Sequence, residues 1–108
     1  MIIRISATMF EQVYDIILES KQRSLDNSYV SSLMEKGTDS ILKKIGEESA
    51  EVILAAKNEN RKEQIHEITD LWFHMLVLMG HQGITLNEIS QELADRLGQS
   101  GLEEKAQR

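Results

Sequence analysis

The stretch ILKKIGEESAEVILAAKNENRKEQIHEITDLWFHMLVLMG, residues 41–80, decides how the rest of the chain is read. Ile41, Ile45, Val52 and Ala55 fall in one row at helical spacing, and Leu42, Ile53 and Ala56 in the next, so a helix with an apolar face is expected from a Thr38 or Asp39 cap to about Lys57. Ile65, Ile68, Trp72, Met75 and Met79 continue the pattern on a second helix that ends in the Gly80 to Gly83 region. Its start is marked by NRKE at 60–63, an Asn cap with a Glu three residues on. The few residues between the two helices leave room only for an antiparallel hairpin.

Working outward, TMFE at 8–11 has the form of a capping box, and Phe10, Val13, Tyr14, Ile17 and Leu18 then make one stripe. A helix is therefore predicted from Thr8 to the polar cluster 20–27, preceded by a short β-branched opening. Ser28 is placed to cap a short helix over 29–36 that Gly37 ends. Thr85, with Glu88 three residues later, opens a last helix through Leu86, Ile89, Leu93 and Leu97, closed by Gly98 and followed by a polar tail. Trp72, Met75 and Met79 are expected in the core.

Composition supports an all-α fold of four to five helices in one domain spanning residues 1–108. Pro is absent, Gly numbers 6 and aromatic residues make up 5%, so helices run uninterrupted and a β-sandwich is poorly supplied. A chain of 108 residues leaves much apolar surface for its size, and pairing with a second copy is the expected remedy. The net charge of −6 argues against nucleic-acid and anionic-membrane partners, which need clustered Lys and Arg. Zero Cys excludes disulfides, thiolate metal sites and cysteine nucleophiles, and makes the cytoplasm the default setting. No run approaches the roughly 18 apolar residues of a membrane span, and the opening lacks a signal-peptide pattern.

The acids of the two central helices carry the chemistry. Glu48 and Glu51 lie about 60° apart around their helix and Glu47 and Glu51 about 40° apart. Glu67 and Asp70 repeat the spacing on the second helix, with His74 one turn beyond. These acids interrupt apolar stripes, between Ile45, Ala50, Val52, Ile68, Leu71 and Trp72, where a solvated face would not need them. Carboxylates that converge at a partly dry interface repel one another unless cations neutralise them. Oxygen-only ligation suits Mg²⁺, with Mn²⁺ as an alternative, and Mg²⁺ commonly shares its shell with substrate phosphate. The other reading is a wet, decorated surface, with Lys43–Glu47 and Lys44–Glu48 as ordinary intrahelical pairs. His74 is expected to pack or to hydrogen-bond near the acids, while His66 and His81 face solvent or a helix end. A ferritin-like di-iron site needs two ExxH copies, and Glu63 with His66 gives one. No Gly-rich phosphate loop and no nucleophile elbow is present.

The segments 41–57 and 66–78, together with VYDIILE at 13–19, the pair Ser28–Tyr29 and the tail RLGQSGLEEK at 96–105, resemble the phosphoribosyl-ATP pyrophosphohydrolase family of histidine biosynthesis. The ExxE and ExxD pair is shared with the wider MazG-like all-α pyrophosphohydrolases, whereas the tail resembles the histidine branch. The resemblance implies a dimeric, MazG-like helical bundle in stand-alone form. It implies Mg²⁺-dependent hydrolysis of phosphoribosyl-ATP to phosphoribosyl-AMP and pyrophosphate. It places metal ligation on Glu48, Glu51, Glu67 and Asp70, with Glu47 adjacent. The proton acceptor is expected among Glu47, Glu48 and Glu51, and phosphate contacts at Lys43, Lys44, Arg96 and Lys105. Two other functions stay open: a house-cleaning nucleoside triphosphate pyrophosphohydrolase with the same acids, and a non-enzymatic helical dimerisation module.

Overall fold

The computed structural model describes residues 2–23 and 28–98, with side chains described for 9–22 and 28–98. Among these residues it is helical and without strands: α1 (Ile2–Arg23), α2 (Tyr29–Lys36), α3 (Thr38–Lys57), α4 (Arg61–Gln82) and α5 (Leu86–Leu97). The all-α expectation holds.

Three helix starts are set by the expected side chains. Ser28 Oγ accepts from Ser31 N at 3.2 Å, Asn60 Oδ1 from Glu63 N at 3.1 Å and Thr85 Oγ1 from Glu88 N at 3.1 Å. Two other starts differ from expectation. α1 begins at Ile2, well before Thr8, because β-branched residues cost a helix only tenths of a kcal/mol each and do not break it. At α3 neither Thr38 nor Asp39 is the cap. Gly37, at φ 95°, makes the junction from α2 without any side-chain cap bond.

α3 and α4 form the predicted antiparallel hairpin. Gln82 Nε2 donates to Thr38 Oγ1 at 3.4 Å at its open end, and Asn60 N donates to Ala55 O at 3.2 Å at the turn. The turn places Glu59 at φ 57°, a left-handed conformation uncommon outside glycine and asparagine.

α1 and α2 cover one side of this hairpin. The core joins Tyr14 and Ile17 of α1, Val30 and Leu33 of α2, Ile41 of α3, and Leu76, Val77 and Met79 of α4. The crossing of α1 on α4 is close: a Cβ on Gly80 would lie 2.8 Å from Ile17 Cγ2. Around this point Lys21 Nζ donates to Gly80 O at 3.0 Å and His81 O at 3.3 Å, meeting the negative end of α4. Tyr14 Oη donates to Ile84 O at 2.6 Å and ties α1 to the connection before α5. Ile17 is fully buried and stiff at its branched carbon, so it has no free space to yield. Gly80→Ala is expected to lower stability by about 1–3 kcal/mol, read as a drop in denaturation midpoint. An unchanged midpoint would show that α1 does not pack this tightly on α4.

The expected core is only partly internal. Met79 is buried, but Ile53, Ile65, Ile68, Trp72 and Met75 are exposed, as are Ile89, Leu93 and Leu97 of α5. Trp72 stacks on Phe10 with ring centroids 4.8 Å apart, yet about half its surface stays open. Helical spacing identifies residues that share a face. It does not say whether the same chain covers that face.

Candidate metal centre

The hairpin register brings the acids of α3 against those of α4. Glu48 and Glu67 are each 8% exposed, whereas Glu51 is open to solvent and Asp70 is half-buried. One carboxylate oxygen from each of Glu48, Glu51 and Glu67 can be chosen so that all three lie within 4.8 Å of one another. A second trio, His66, Glu67 and Asp70, meets the same limit, so Glu67 belongs to both. His66 Nε2 stands 3.4 Å from Asp70 Oδ2 and 3.7 Å from Glu67 Oε1.

Electrostatics records the strain of this gathering. The Glu67 carboxyl is pushed up to about 7, first by its hydrogen bond to Glu51 and then by burial. Glu51 is correspondingly lowered, with Glu67 the main cause. Below about pH 7 the pair is therefore expected to share a proton, with Glu67 as its donor. Burial, followed by the charge of Asp70, raises Glu48 as well. Its Oε2 is buried with no hydrogen-bond partner. A buried carboxylate oxygen without a donor is costly, and a hard divalent cation is one partner that would satisfy it. The donor set is almost all oxygen and fits Mg²⁺ or Mn²⁺ by chemistry.

A polar groove of about 320 Å³ opens beside the trio. Glu51 and Glu67 form one end, and Asn58, Asn60 and Glu63 lead to the hairpin turn. A larger cavity, about 410 Å³, lies between α1 and α4 and is walled by Phe10, Val13, Ile68 and Trp72. It contains none of the acids, and Thr69, the polar residue in its wall, gives its hydroxyl proton to Ile65 O.

With this geometry in hand, the comparison with known families is direct. The sequence model described as phosphoribosyl-ATP pyrophosphohydrolase matches residues 10–97. The chain belongs to the phosphoribosyl-ATP pyrophosphohydrolase family. It is 54% identical over 93 residues to the phosphoribosyl-ATP pyrophosphatase of Ruthia magnifica, an alignment covering 86% of this chain and 89% of that protein. The protein of the same name from Geobacter metallireducens is 49% identical over 93% of this chain and 92% of its own. That of Aromatoleum aromaticum is 44% identical over 96% of each.

All the acids considered above fall inside the stretch matched to the pyrophosphohydrolase family. The structure brings together Glu48, Glu51 and Glu67, and joins Asp70 to them through Glu67. Glu47 is in neither trio. Its carboxylate turns to Lys44, 3.8 Å away, in place of the expected Lys43–Glu47 and Lys44–Glu48 pairs. Lys43 and Lys44 line a small cavity of about 240 Å³ that also takes in Lys36 and Ser40. Arg96 is engaged within α5, its Nε donating to Glu92 Oε2 at 2.9 Å. Lys105 and the rest of the tail lie outside the described residues.

Two residues gain a role that spacing did not give them. His66, expected at the surface, is exposed but also borders both acids of α4, a placement its i, i+4 relation to Asp70 allows. Tyr29, noted only in the family resemblance, donates or accepts a 2.8 Å hydrogen bond with His74 Nε2, while His74 Nδ1 lies 2.9 Å from Asp70 O. His74 is buried and bonded near the acids, as expected.

Proposed function

We propose that this chain hydrolyses phosphoribosyl-ATP to phosphoribosyl-AMP and pyrophosphate, the second step of histidine biosynthesis. It does so with Mg²⁺, or Mn²⁺ in its place, held by Glu48, Glu51, Glu67 and Asp70. One observation carries the metal part: a carboxylate trio with an orphaned, buried Glu48 oxygen, in a chain of this pyrophosphohydrolase family. When bound, the cation supplies the positive charge that clamps and neutralises the phosphates.

The chain's own residues divide the remaining work. Glu51 is exposed, so it is the carboxylate of the trio that an attacking water can reach, and we take it as the proton acceptor on that access. Glu48 is buried away from bulk water, which suits a ligand better than a base. Glu47 stands at the open side with Lys44 and keeps a secondary place as a proton acceptor. Lys43 and Lys44 are the proposed phosphate contacts, with Arg96 and Lys105 as further proposed substrate contacts. Water adds to phosphorus as the α–β anhydride breaks, its proton passes to Glu51, and the charge of the leaving pyrophosphate is met by Lys43 and Lys44; a bound cation would supply further neutralisation.

The test is pyrophosphate release from phosphoribosyl-ATP with and without chelator. Turnover that stops on chelation and returns with Mg²⁺ is expected. Ordinary nucleoside triphosphates at equal Mg²⁺ should be poorer substrates. The reverse preference would favour the house-cleaning alternative, and no turnover with no metal-dependent thermal shift would leave a non-enzymatic helical module.

We further propose that residues 1–108 act as one domain in a cytoplasmic homodimer. The exposed row Ile65, Ile68, Trp72 and Met75 on α4, flanked by Ile53, supports pairing because so much contiguous apolar surface is unusual on a monomer. Among the described residues no helix is long and apolar enough to cross a membrane. Ile68→Glu with Trp72→Glu is expected to halve the solution mass measured by light scattering. A wild-type protein that is already monomeric would refute the pairing.

A further inference from the structure

Tyr29 is the first residue of α2, pinned there by the Ser28 cap, with about half its surface open. Its ring stacks at 6.4 Å on Phe73 and meets His74 edge-on at 5.8 Å. The hydrogen-bond sense along this chain follows from its inner end. Asp70 O is a backbone carbonyl and can only accept, so the Nδ1 of His74 carries the proton. In the neutral ring Nε2 is then a lone pair, and Tyr29 must donate to it across the 2.8 Å contact.

With its one proton committed, the Tyr29 oxygen has only lone pairs left to offer. Through His74 it is linked by contacts of 2.8 and 2.9 Å to the backbone of Asp70, so it stands beside the acids of α4. The phosphates of a nucleotide are largely ionised at neutral pH and act as acceptors, for which Lys44 is the proposed donor. An alcohol does have a proton to give. In a nucleotide whose phosphates are held at the acids, the nearest alcohols are those of the ribose.

Resting on the activity proposed above, we infer that Tyr29 is a substrate-contacting residue whose oxygen, kept an acceptor by His74, takes a hydrogen bond from a ribose hydroxyl of the triphosphate-bearing nucleoside. His74 is the positioning residue. It touches no substrate and acts by fixing which way the Tyr29 proton points.

The experiment compares wild type, Tyr29→Phe, His74→Gln and His74→Phe on the ribose substrate and on its 2′-deoxy and 3′-deoxy forms, in Mg²⁺. Wild type is expected to prefer the ribose form over one deoxy form by about tenfold in KM, the worth of a single hydrogen bond. Tyr29→Phe keeps the ring but loses this preference, with kcat changed much less than KM. His74→Gln retains an acceptor for Tyr29 and should behave nearly as wild type, whereas His74→Phe should resemble Tyr29→Phe. Independently of turnover, imidazole ¹⁵N spectra of the metal-free protein should show His74 protonated at Nδ1 and bare at Nε2. A Tyr29→Phe enzyme that still discriminates the deoxy forms overturns the inference, and so does a His74 ring protonated at Nε2. Equal KM for all three substrates in wild type overturns it too, leaving bound water as the donor to Tyr29. Absence of wild-type turnover is a separate result, which strikes the proposed activity itself.

Discussion

Glu48→Gln is expected to reduce pyrophosphate release by at least about 10²–10³-fold while raising the melting temperature of the metal-free protein. The two effects have one origin. Glu48 is almost fully buried beside Glu51 and Asp70, and its Oε2 has no donor, so in the absence of a cation its charge opposes folding. The amide keeps the shape, removes the charge and can donate to the neighbouring carboxylates. It also replaces one oxygen of the proposed ligand by NH2 and leaves the other neutral, which weakens it towards a hard cation. Glu67→Gln and Asp70→Ala should likewise lose activity, and Glu51→Gln should lose both a ligand and the proposed base. Turnover and thermal unfolding, each measured with and without Mg²⁺, check the whole set. A Glu48→Gln protein with full turnover would remove the trio from the chemistry. One that is less stable than wild type without metal would mean the carboxylate is already satisfied.

Mg²⁺ affinity is expected to climb steeply between pH 5.5 and 7, by about tenfold per pH unit for one released proton, and then to level off. The Glu67 carboxyl moves from an ordinary 4.5 to about 7 in the folded, metal-free chain. A group raised in this way stabilises the fold fully below its ordinary value and loses that contribution as pH rises through its folded one. Glu48 is shifted in the same direction, and Glu51 in the opposite one. The metal-free protein should therefore soften from about pH 4.5 to 7 as the shared proton leaves. Added Mg²⁺ should restore stability most strongly at the upper end of that range, because the ligand form is then already present. Calorimetry in two buffers of different ionisation enthalpy, near pH 6, should detect one proton displaced per binding event, and Glu67→Gln should abolish it. Affinity that stays flat from pH 5.5 to 7.5 would contradict the shared proton.

The parts of this site legible in the sequence are those set by short-range geometry. Ser28, Asn60 and Thr85 announce their helices because a cap is a bond between neighbours in the chain. The short connection between α3 and α4 forces the hairpin, and helical phase alone then aims Glu48 and Glu51 at Glu67 and Asp70. Other features depend on what arrives from elsewhere. Thr8 has the pattern of a cap, yet the helix passes through it. Trp72 and Ile68 have the pattern of core, yet among the described residues they are covered only in part, Trp72 by Phe10, and the spacing of apolar residues is the same in either case. Glu47 differs from Glu48 by a single step around the helix, and only the packing of α4 determines which one is enclosed. The Tyr29–His74 contact joins residues far apart in the chain, and no local pattern encodes it.

All four proposed ligands sit between Glu48 and Asp70, on two helices joined by a three-residue connection. Such a unit has low contact order, and its ends meet without waiting for distant segments to find one another. If these carboxylates hold a cation, it would bridge the two helices of this local unit. A concentration of divalent ions sufficient for catalysis would then also speed refolding, through a nucleus that the enzyme later reuses as its working part.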